Sequence, residues 1–396
     1  MKARSPHHQI STKAGSPSAR GLRDAQGSGL SRVPAPPILK FGLGLSYAKD
    51  APAWPERLAA AILPRLHAPA GVTLEPLTAV VDRRSRTAVE RALKSFGSPA
   101  DGLAVAHQEA ATPFVLNVPA GQRYDFPAVL DCRLSGQTAQ TVVIVAGAGS
   151  RLTVVEHDLT VDDTAAGRSA RLVIVAGEGA EITFIRLQDA AATAWDWHAA
   201  RAFLAAEAKL TFLEAIFGGD FCRSDLLVSL AGERAECRTR TIAFAAGRQK
   251  VVVTSRVDHD ADGTVSDMRA RTAVAGAART FVRTRLNVKR GTIDTNGRQD
   301  LRGLILGKEA QCAVEPQLEV AAERTACGHA AAVGRLDRDR LFYLATRGLA
   351  RPEAVRLMAT GFFSPLLETM RGAGLEEAAA CLIADRLADP AILSAL

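Results

Sequence analysis

From about residue 112 onward, apolar and polar residues alternate in short β-branched runs. Examples are Phe114–Val118, Thr141–Val145, Leu152–Val155, Leu172–Val175, Ile182–Ile185 and Val251–Val253, each bounded by Gly, Ala or a charged residue. A period of two is the signature of a strand with one buried face. A loose unit recurs, in which small residues precede one charged residue and then alternating apolar positions. It is seen at Gly147-Ala-Gly-Ser-Arg-Leu-Thr-Val, Gly177-Glu-Gly-Ala-Glu-Ile-Thr-Phe, Ala205-Ala-Glu-Ala-Lys-Leu-Thr-Phe and Ala275-Gly-Ala-Ala-Arg-Thr-Phe-Val. Aligning Arg151, Glu181, Lys209 and Arg279 gives separations of 30, 28 and 70, with weaker copies near Glu236 and Lys250. Degenerate repetition of short strands, uninterrupted by a helix-length amphipathic segment, predicts a β-solenoid rather than a βαβ fold. A large β-sandwich is the alternative.

The flanks carry helical spacing. Leu58, Ala61, Ile62 and Leu66 predict one apolar helix face, broken at Pro64, and Val89, Leu93 and Phe96 a second. After Leu336, Asp337 is placed to cap a helix through Leu341, Phe342 and Leu344 that Gly348 closes. Pro352 then stands at a helix start, and Val355, Met358, Phe362 and Leu366 recur at spacings of three to four. A last helix is expected from about Leu375 to Leu387. The resulting division is 1–48 as a disordered tail, 49–110 as an N-terminal helical segment, 111–335 as a right-handed parallel β-helix and 336–396 as a C-terminal helical segment. The tail is rich in Ser, Pro, Gly and Arg, poor in acids and without apolar periodicity. It reads as an overlong start, or as a transit peptide.

Composition narrows the function classes. A chain of 396 residues with 47% hydrophobic residues can bury a large core, and a net charge of +7 is modest for that length. Lys and Arg are not interleaved with aromatics, so nucleic acid is not the expected partner. No apolar run reaches the roughly 18 residues that a membrane span needs. The six cysteines, at 132, 222, 237, 312, 327 and 381, form no CxxC pair, which argues against a disulfide scaffold and a self-contained zinc site. A reducing, cytoplasmic setting is expected, or a plastid one if the tail is a transit peptide.

Cys327 and His329 carry the candidate chemistry. On a strand, residues i and i+2 share a face, so a soft and a borderline ligand would project side by side. Elsewhere the motifs favour plainer roles. Asp258-His259-Asp260 splits across two strand faces and reads as a solvated loop rather than a metal site. Cys222 and Cys237 read as core residues, and the role of Cys312 is open. Glu315, Gln317 and Glu319 form a row on one face that suits an exposed polar sheet better than acid–base catalysis. Gly303-Leu-Ile-Leu-Gly307-Lys308 has one residue too few for a phosphate loop, and Glu309 replaces the metal-binding hydroxyl.

The stretch from Glu315 to Gly361 resembles the C-terminal signature of the SufB/SufD family of iron–sulfur cluster assembly proteins. The resemblance is carried by Pro316-Gln-Leu-Glu319, by Cys327-Gly-His-Ala-Ala-Ala-Val-Gly-Arg-Leu-Asp337 and by Leu341-Phe-Tyr-Leu-Ala-Thr-Arg-Gly348, supported by Asp294-Thr-Asn-Gly-Arg-Gln-Asp300. Gly328 stands where the family usually has Ser, and Ala330 and Ala332 where it has Gly and Thr. No cysteine precedes position 132, which fits the SufD branch better than the SufB branch. The resemblance implies a β-helical, non-catalytic scaffold subunit without a nucleotide site of its own. It would pair with a SufB-like paralogue through the solenoid end and bind a SufC-like ABC-type ATPase through the C-terminal helices. A transient iron–sulfur cluster would be shared with the partner at Cys327 and His329, and the isolated chain would bind none. Phe342, Val355, Met358, Phe362, Phe363 and Leu366 are the expected partner-binding residues. A β-solenoid polysaccharide lyase or hydrolase, or a structural protein-binding solenoid, is the alternative.

Overall fold

The computed structural model describes residues 58–60, 65–79, 83–94, 96, 102–110, 112–134, 136–160 and 166–388. The predicted N-terminal tail lies outside these residues, as do Ala61, Ile62 and Pro64.

The chain coils through two parallel sheets, visiting them alternately. The first contains the strands Pro113–Val118, Gln137–Ala146, Gly167–Ala176, Trp195–Leu204, Phe221–Leu230, Lys250–His259, Arg279–Val288 and Gln311–Val320. The second contains Ala128–Leu134, Arg151–Thr160, Glu181–Asp189, Lys209–Ile216, Glu236–Ala245, Val265–Val274, Thr295–Ile305 and Thr325–Arg335. This is the β-solenoid expected from the repeat, with about seven turns. Its lumen is filled by alternate side chains of both sheets, among them Leu152, Val154, Ile182, Phe184, Leu210 and Phe212.

The register also shows what the repeat spacing means. Arg151, Glu181, Lys209 and Glu236 pair in sequence on the second sheet. Arg279 pairs with Lys250 on the first sheet. Separations of 30 and 28 are therefore single turns, whereas the separation of 70 passes from one sheet to the other. The two half-turns use the same small–charged–alternating unit, so sequence alignment merges them.

One corner needs left-handed backbone at every turn. Glycine serves at Gly149, Gly179 and Gly263, but Glu207, Arg234 and Asp294 adopt φ of 58°, 59° and 56°. Each of these three N–H groups donates to a carbonyl on the next turn, on Glu233, Asp262 and Arg324, at 2.8–2.9 Å. The stacked hydrogen bonds offset the steric cost of φ > 0.

The N-terminal helix expected around Leu58 to Leu66 is not found. Ala59–Ala60, Arg65–His67 and Thr73–Pro76 are strands, the last two pairing antiparallel with the first solenoid strands. Covering those free edges outweighs the local apolar spacing. Two helices follow, α1 (Arg83–Lys94) and α2 (Gly102–Ala110). Val89, Ala92 and Phe96 pack on the outer side of the first sheet against Val143 and Val173. At the other terminus lie α3 (Arg338–Thr346), α4 (Arg351–Leu367) and α5 (Glu376–Ala388). Asp337 caps α3 as expected, accepting from the Asp339 and Arg340 N–H groups. Pro352 is the second residue of α4, where its missing N–H is harmless. Both α4 and α5 lie along the outer side of the second sheet, with Phe363, Leu366, Ile383 and Leu387 on Ile185, Leu213, Ile242 and Phe244.

Candidate functional site: the open end of the solenoid

Strands Gln311–Val320 and Thr325–Arg335 form the last turn, and no further strand pairs with either among the described residues. At the first turn the corresponding edges are covered; here both are free. Parity then places the candidate ligands. In Thr295–Ile305 the alternate positions Thr295, Gly297, Gln299, Leu301 and Gly303 are buried and face the lumen, while Leu304 is buried on the other side beneath the C-terminal helices. Cys327 stacks on Gly297 and His329 on Gln299, so both point into the mouth of the lumen. Gln299 is only 1% exposed, whereas His329 directly above it is exposed. The difference is one turn of solenoid, and it turns a lumen position into a surface.

The floor beneath the pair is tightly packed. A Cβ on Gly297 would lie 2.3 Å from Leu286 Cδ1, so that position is closed to larger residues. Gln299 donates to the Gln317 carbonyl at 3.2 Å. Partial burial pushes the Cys327 thiol up, opposed by hydrogen bonds to the Gly297 backbone and Thr325. A metal would have to drive its deprotonation. Among the described residues no third Cys, His, Asp or Glu joins Cys327 and His329 in a group with ligand spacing.

Cys312 also faces the lumen but lies elsewhere. Its sulfur fills the space above Gly303, next to Val333. Val333 is six residues along the strand from Cys327, about 20 Å at 3.3 Å per residue. Burial raises the pKa of the Cys312 thiol, with the Thr280 hydroxyl opposing.

Glu315, Gln317 and Glu319 form the expected polar outer row. Arg283 holds Glu315 at 2.9 Å and Arg285 holds Glu319 at 2.8 Å. Although partial burial acts the other way, the hydrogen bonds from Arg283 and Gln317 keep the Glu315 carboxyl below its ordinary range.

The Asp258-His259-Asp260 loop reading needs correction. Asp258 and His259 end a strand, with His259 fully buried and its ring nitrogens 2.8 Å from the Thr264 and Ser266 hydroxyls. Asp258 pairs outward with Arg256. Cys222 and Cys237 are buried in the core as expected, and burial lifts Cys237 to about 12.

The predicted partner-binding face also differs from its expectation. Phe363 and Leu366 are buried against the second sheet, Val355 is also buried, and Met358 and Phe362 are half-buried. The amphipathic stripe seals the solenoid flank instead of remaining available. Phe342 is 73% exposed, beside Tyr343 on α3.

Sequence reasoning missed a closed ionic cluster within the lumen, several turns from the mouth. Arg168 donates to both Asp158 oxygens at 2.6 and 2.5 Å, to Asp196 at 3.1 Å and to Glu156 at 3.3 Å. Arg186 binds Asp158 at 2.8 Å and also contacts Asp196. All five side chains are at most 4% exposed. Burial, reinforced by Asp158, pushes Glu156 up to about 7 against the pull of both arginines. Cys132 joins Glu156 and Asp158 with ligand atoms within 4.8 Å of one another, but the guanidiniums already supply the cations there. The signal was present in the parity: Leu152, Val154, Glu156 and Asp158 share the inward face, as do Ile182, Phe184 and Arg186.

The family described as "SUF system FeS cluster assembly, SufBD core domain" matches residues 132–362, more than half of the chain. The chain belongs to this family. The SufBD match includes Cys327 and His329. The iron–sulfur cluster assembly protein SufD of Escherichia coli is 27% identical over 239 residues, covering 60% of this chain and 56% of that protein. The SufD protein of Bacillus subtilis is 24% identical over 238 residues, 60% of this chain and 54% of its own length. An iron–sulfur cluster assembly SufBD family protein of Mycobacterium leprae is 24% identical over 258 residues, 64% of this chain and 30% of that protein. The matched region thus spans about half the length of either SufD relative. Membership places the chain in an iron–sulfur cluster assembly family, and SufD proteins are among its relatives. No helix among the described residues is long and apolar enough to cross a membrane.

Proposed function

We propose that this chain is a non-catalytic scaffold subunit that supplies Cys327 and His329 to a cluster-building site completed by a SufB-like paralogue. The observation that carries the reading is the pair's position. Both side chains point from an uncapped last turn, exposed or half-exposed, where the equivalents one turn below are buried. The free strand edges invite another chain to extend the sheets. Val320 and Val333, each 41% exposed, add apolar area at that edge. The nascent cluster is cargo, held briefly between two chains. Iron–sulfur clusters need a fuller ligand set than one thiolate and one imidazole, so the isolated chain should hold little or no cluster. ATP-driven work would come from a SufC-like ABC-type ATPase. With Val355, Phe363 and Leu366 buried, the exposed apolar side chains of the described C-terminal segment, Phe342 and Tyr343 on α3 and Leu357 on α4, are left for its docking.

The test is anaerobic reconstitution of the lone chain and of its complex with the paralogue, followed by visible absorption and iron counting. The complex should gain cluster and the lone chain should not. A stable stoichiometric cluster on the lone chain would falsify the shared site. A Val333→Lys variant, with a charge on the free edge, should keep the fold and lose the paralogue. Retained pairing would show that docking occurs elsewhere.

A further inference from the structure

The scaffold reading leaves the outer face of the second sheet unused near its open end. On that face the register sets Arg298 over Asp267, Asp300 over Arg269 and Arg302 over Arg271. Gln299 and Leu301, between them along the strand, are buried in the lumen, so these six side chains point outward. Asp300 is shared by Arg271 at 2.9 Å and Arg302 at 3.1 Å. Asp267 is shared by Arg269 at 3.0 Å and by Arg240, one strand further in, at 2.7 Å. Each carboxylate thus already serves two guanidiniums. Arg298 is exposed, and its guanidinium forms no ion pair among the described residues. Arg271, Arg298 and Arg302 around the single Asp300 leave two positive charges beside the end of the sheet.

The strand beyond, Thr325–Arg335, is bare on this side. Its outward residues are Ala326, Gly328, Ala330, Ala332 and Gly334, all exposed, and a Cβ built on Gly328 or Gly334 meets nothing within 4 Å. Gly328 stands over Arg298 and Ala332 over Arg302. No side chain of this row answers the two charges, and none is tall enough to shield them from a group beyond the edge. A strand added at the free edge lies about 4.8 Å beyond it and about 9.6 Å from the strand that carries the arginines. A guanidinium and a carboxylate reaching toward each other close that gap over a row of methyl groups, but not over a row of larger side chains.

Given the docking of a SufB-like paralogue at this edge, on which this step rests, we propose that Arg298 and Arg302 recognise two carboxylates on the paralogue's edge strand. The two acids share one face, four residues apart, with no acid between them opposite Asp300. The pattern reads the same in either direction, so it serves parallel and antiparallel pairing alike. A second copy of this chain does not supply it. Its own Thr325–Arg335 row is Ala and Gly. On its other edge strand Glu315 and Glu319 have the spacing, but Arg283 and Arg285 already hold them at 2.9 and 2.8 Å. Charges placed this way decide which partner is accepted more than how tightly it is held.

The experiment is calorimetric titration of the full chain with the SufB-like paralogue at low and at physiological salt. Arg298→Gln and Arg302→Gln should each weaken binding about two- to fivefold, as for loss of an exposed ion pair. Reversal of both to Glu should weaken it roughly tenfold or more, because like charges then face each other, and the loss should shrink as salt rises. Ala332→Leu removes no charge but raises the bare row, and should weaken binding as Arg302→Gln does. Arg238→Gln is the control. Arg238 is exposed on the same face, but it lies about 14 Å from the added strand, beyond the screening length of about 8 Å at physiological salt. Its loss should leave the Kd there unchanged. Val333→Lys separates edge docking from the acid pattern. If it abolishes pairing while the double reversal binds like the parent, the edge docks the paralogue and the role given to Arg298 and Arg302 is wrong. If Val333→Lys also binds like the parent, docking at this edge fails and the role fails with it. Equal losses from Arg238→Gln and Arg298→Gln overturn it too, as does a double reversal that affects only self-association or only the binding of a short DNA duplex.

Discussion

Around Arg168 the lumen is filled with charge and closed to water, whereas around His329 it holds an imidazole and a thiol and lies open. Both regions are built from the same inward strand positions, a few turns apart. What separates them is whether another turn lies on top. In the closed region each carboxylate must have a cation, because an unpaired buried charge costs several kcal/mol. At the mouth, polar atoms can be left to solvent or a partner, and no pairing is required. The same backbone register thus makes one set of polar residues part of the core and leaves the other available for chemistry.

The comparison breaks most visibly at its closed end. Arg168→Met should strand Asp158, Asp196 and Glu156 together and cost about 3–5 kcal/mol or more, the range for breaking one buried pair. That is a large share of a typical stability, so little folded protein is expected, judged by circular dichroism and thermal melting. A variant that melts like the parent would show that the ionic cluster contributes little. Phe363→Ala comes next. Phe363 is fully buried, with its ring centre 6.4 Å from that of Phe244. Its truncation should cost about 3–5 kcal/mol and loosen α4 while the solenoid strands persist. Limited proteolysis should then cut near α4 first; unchanged protection would overturn that assignment.

Much of this was legible from the residues. The period of two announced the strands, and the spacing of Cys327 and His329 announced a shared face. The helix limits around Asp337 and Gly348 followed from cap chemistry. The partners of each surface could not be read. The stripe on α4 is a true amphipathic face, but nothing in Val355, Phe363 and Leu366 tells whether a sheet of the same chain or another protein covers it. The closed cluster failed for a related reason. Glu156, Asp158, Arg168, Arg186 and Asp196 look like surface charges one at a time. Their inward parity shows only when each strand is traced from its apolar start, and their mutual pairing only when the turns are stacked. Arg279 was matched to the wrong sheet because the two half-turns share one pattern.

A smaller effect tests how closed the cluster is. With its pKa raised from 4.5 to about 7, Glu156 retains a proton in the folded state between those values that the unfolded chain has lost. Fewer protons bound on unfolding means that stability falls as pH rises through this window, by up to about 3 kcal/mol. His107, held down to about 2 chiefly by burial and then by Arg171, acts oppositely: its contribution is present above the ordinary histidine value and is lost below it. Comparing the parent with Glu156→Gln cancels the histidines. The parent should lose stability relative to the variant between about pH 4.5 and 7, followed by thermal melting. A flat difference would mean that Glu156 is ionised throughout.

The smallest expected stability effect lies at the open end, and it is the most informative about function. His329 is exposed, so His329→Ala should change stability by less than about 0.5 kcal/mol. If the imidazole binds the nascent cluster with Cys327, the same change should sharply reduce cluster transfer from the assembled complex to an acceptor apo-protein. Losing one ligand weakens a metal site, whereas a broad interface tolerates the loss of one peripheral side chain. Cys312→Ala is the matched control. It removes another lumen-facing thiol from the same last turn, about 20 Å from Cys327 along the strands, and should leave transfer intact at some cost in packing. The two variants therefore move different observables, Cys312→Ala stability and His329→Ala transfer. Transfer at the parent rate in His329→Ala would show that the imidazole is no cluster ligand, and a complex that dissociates on size-exclusion chromatography would show that His329 serves assembly instead.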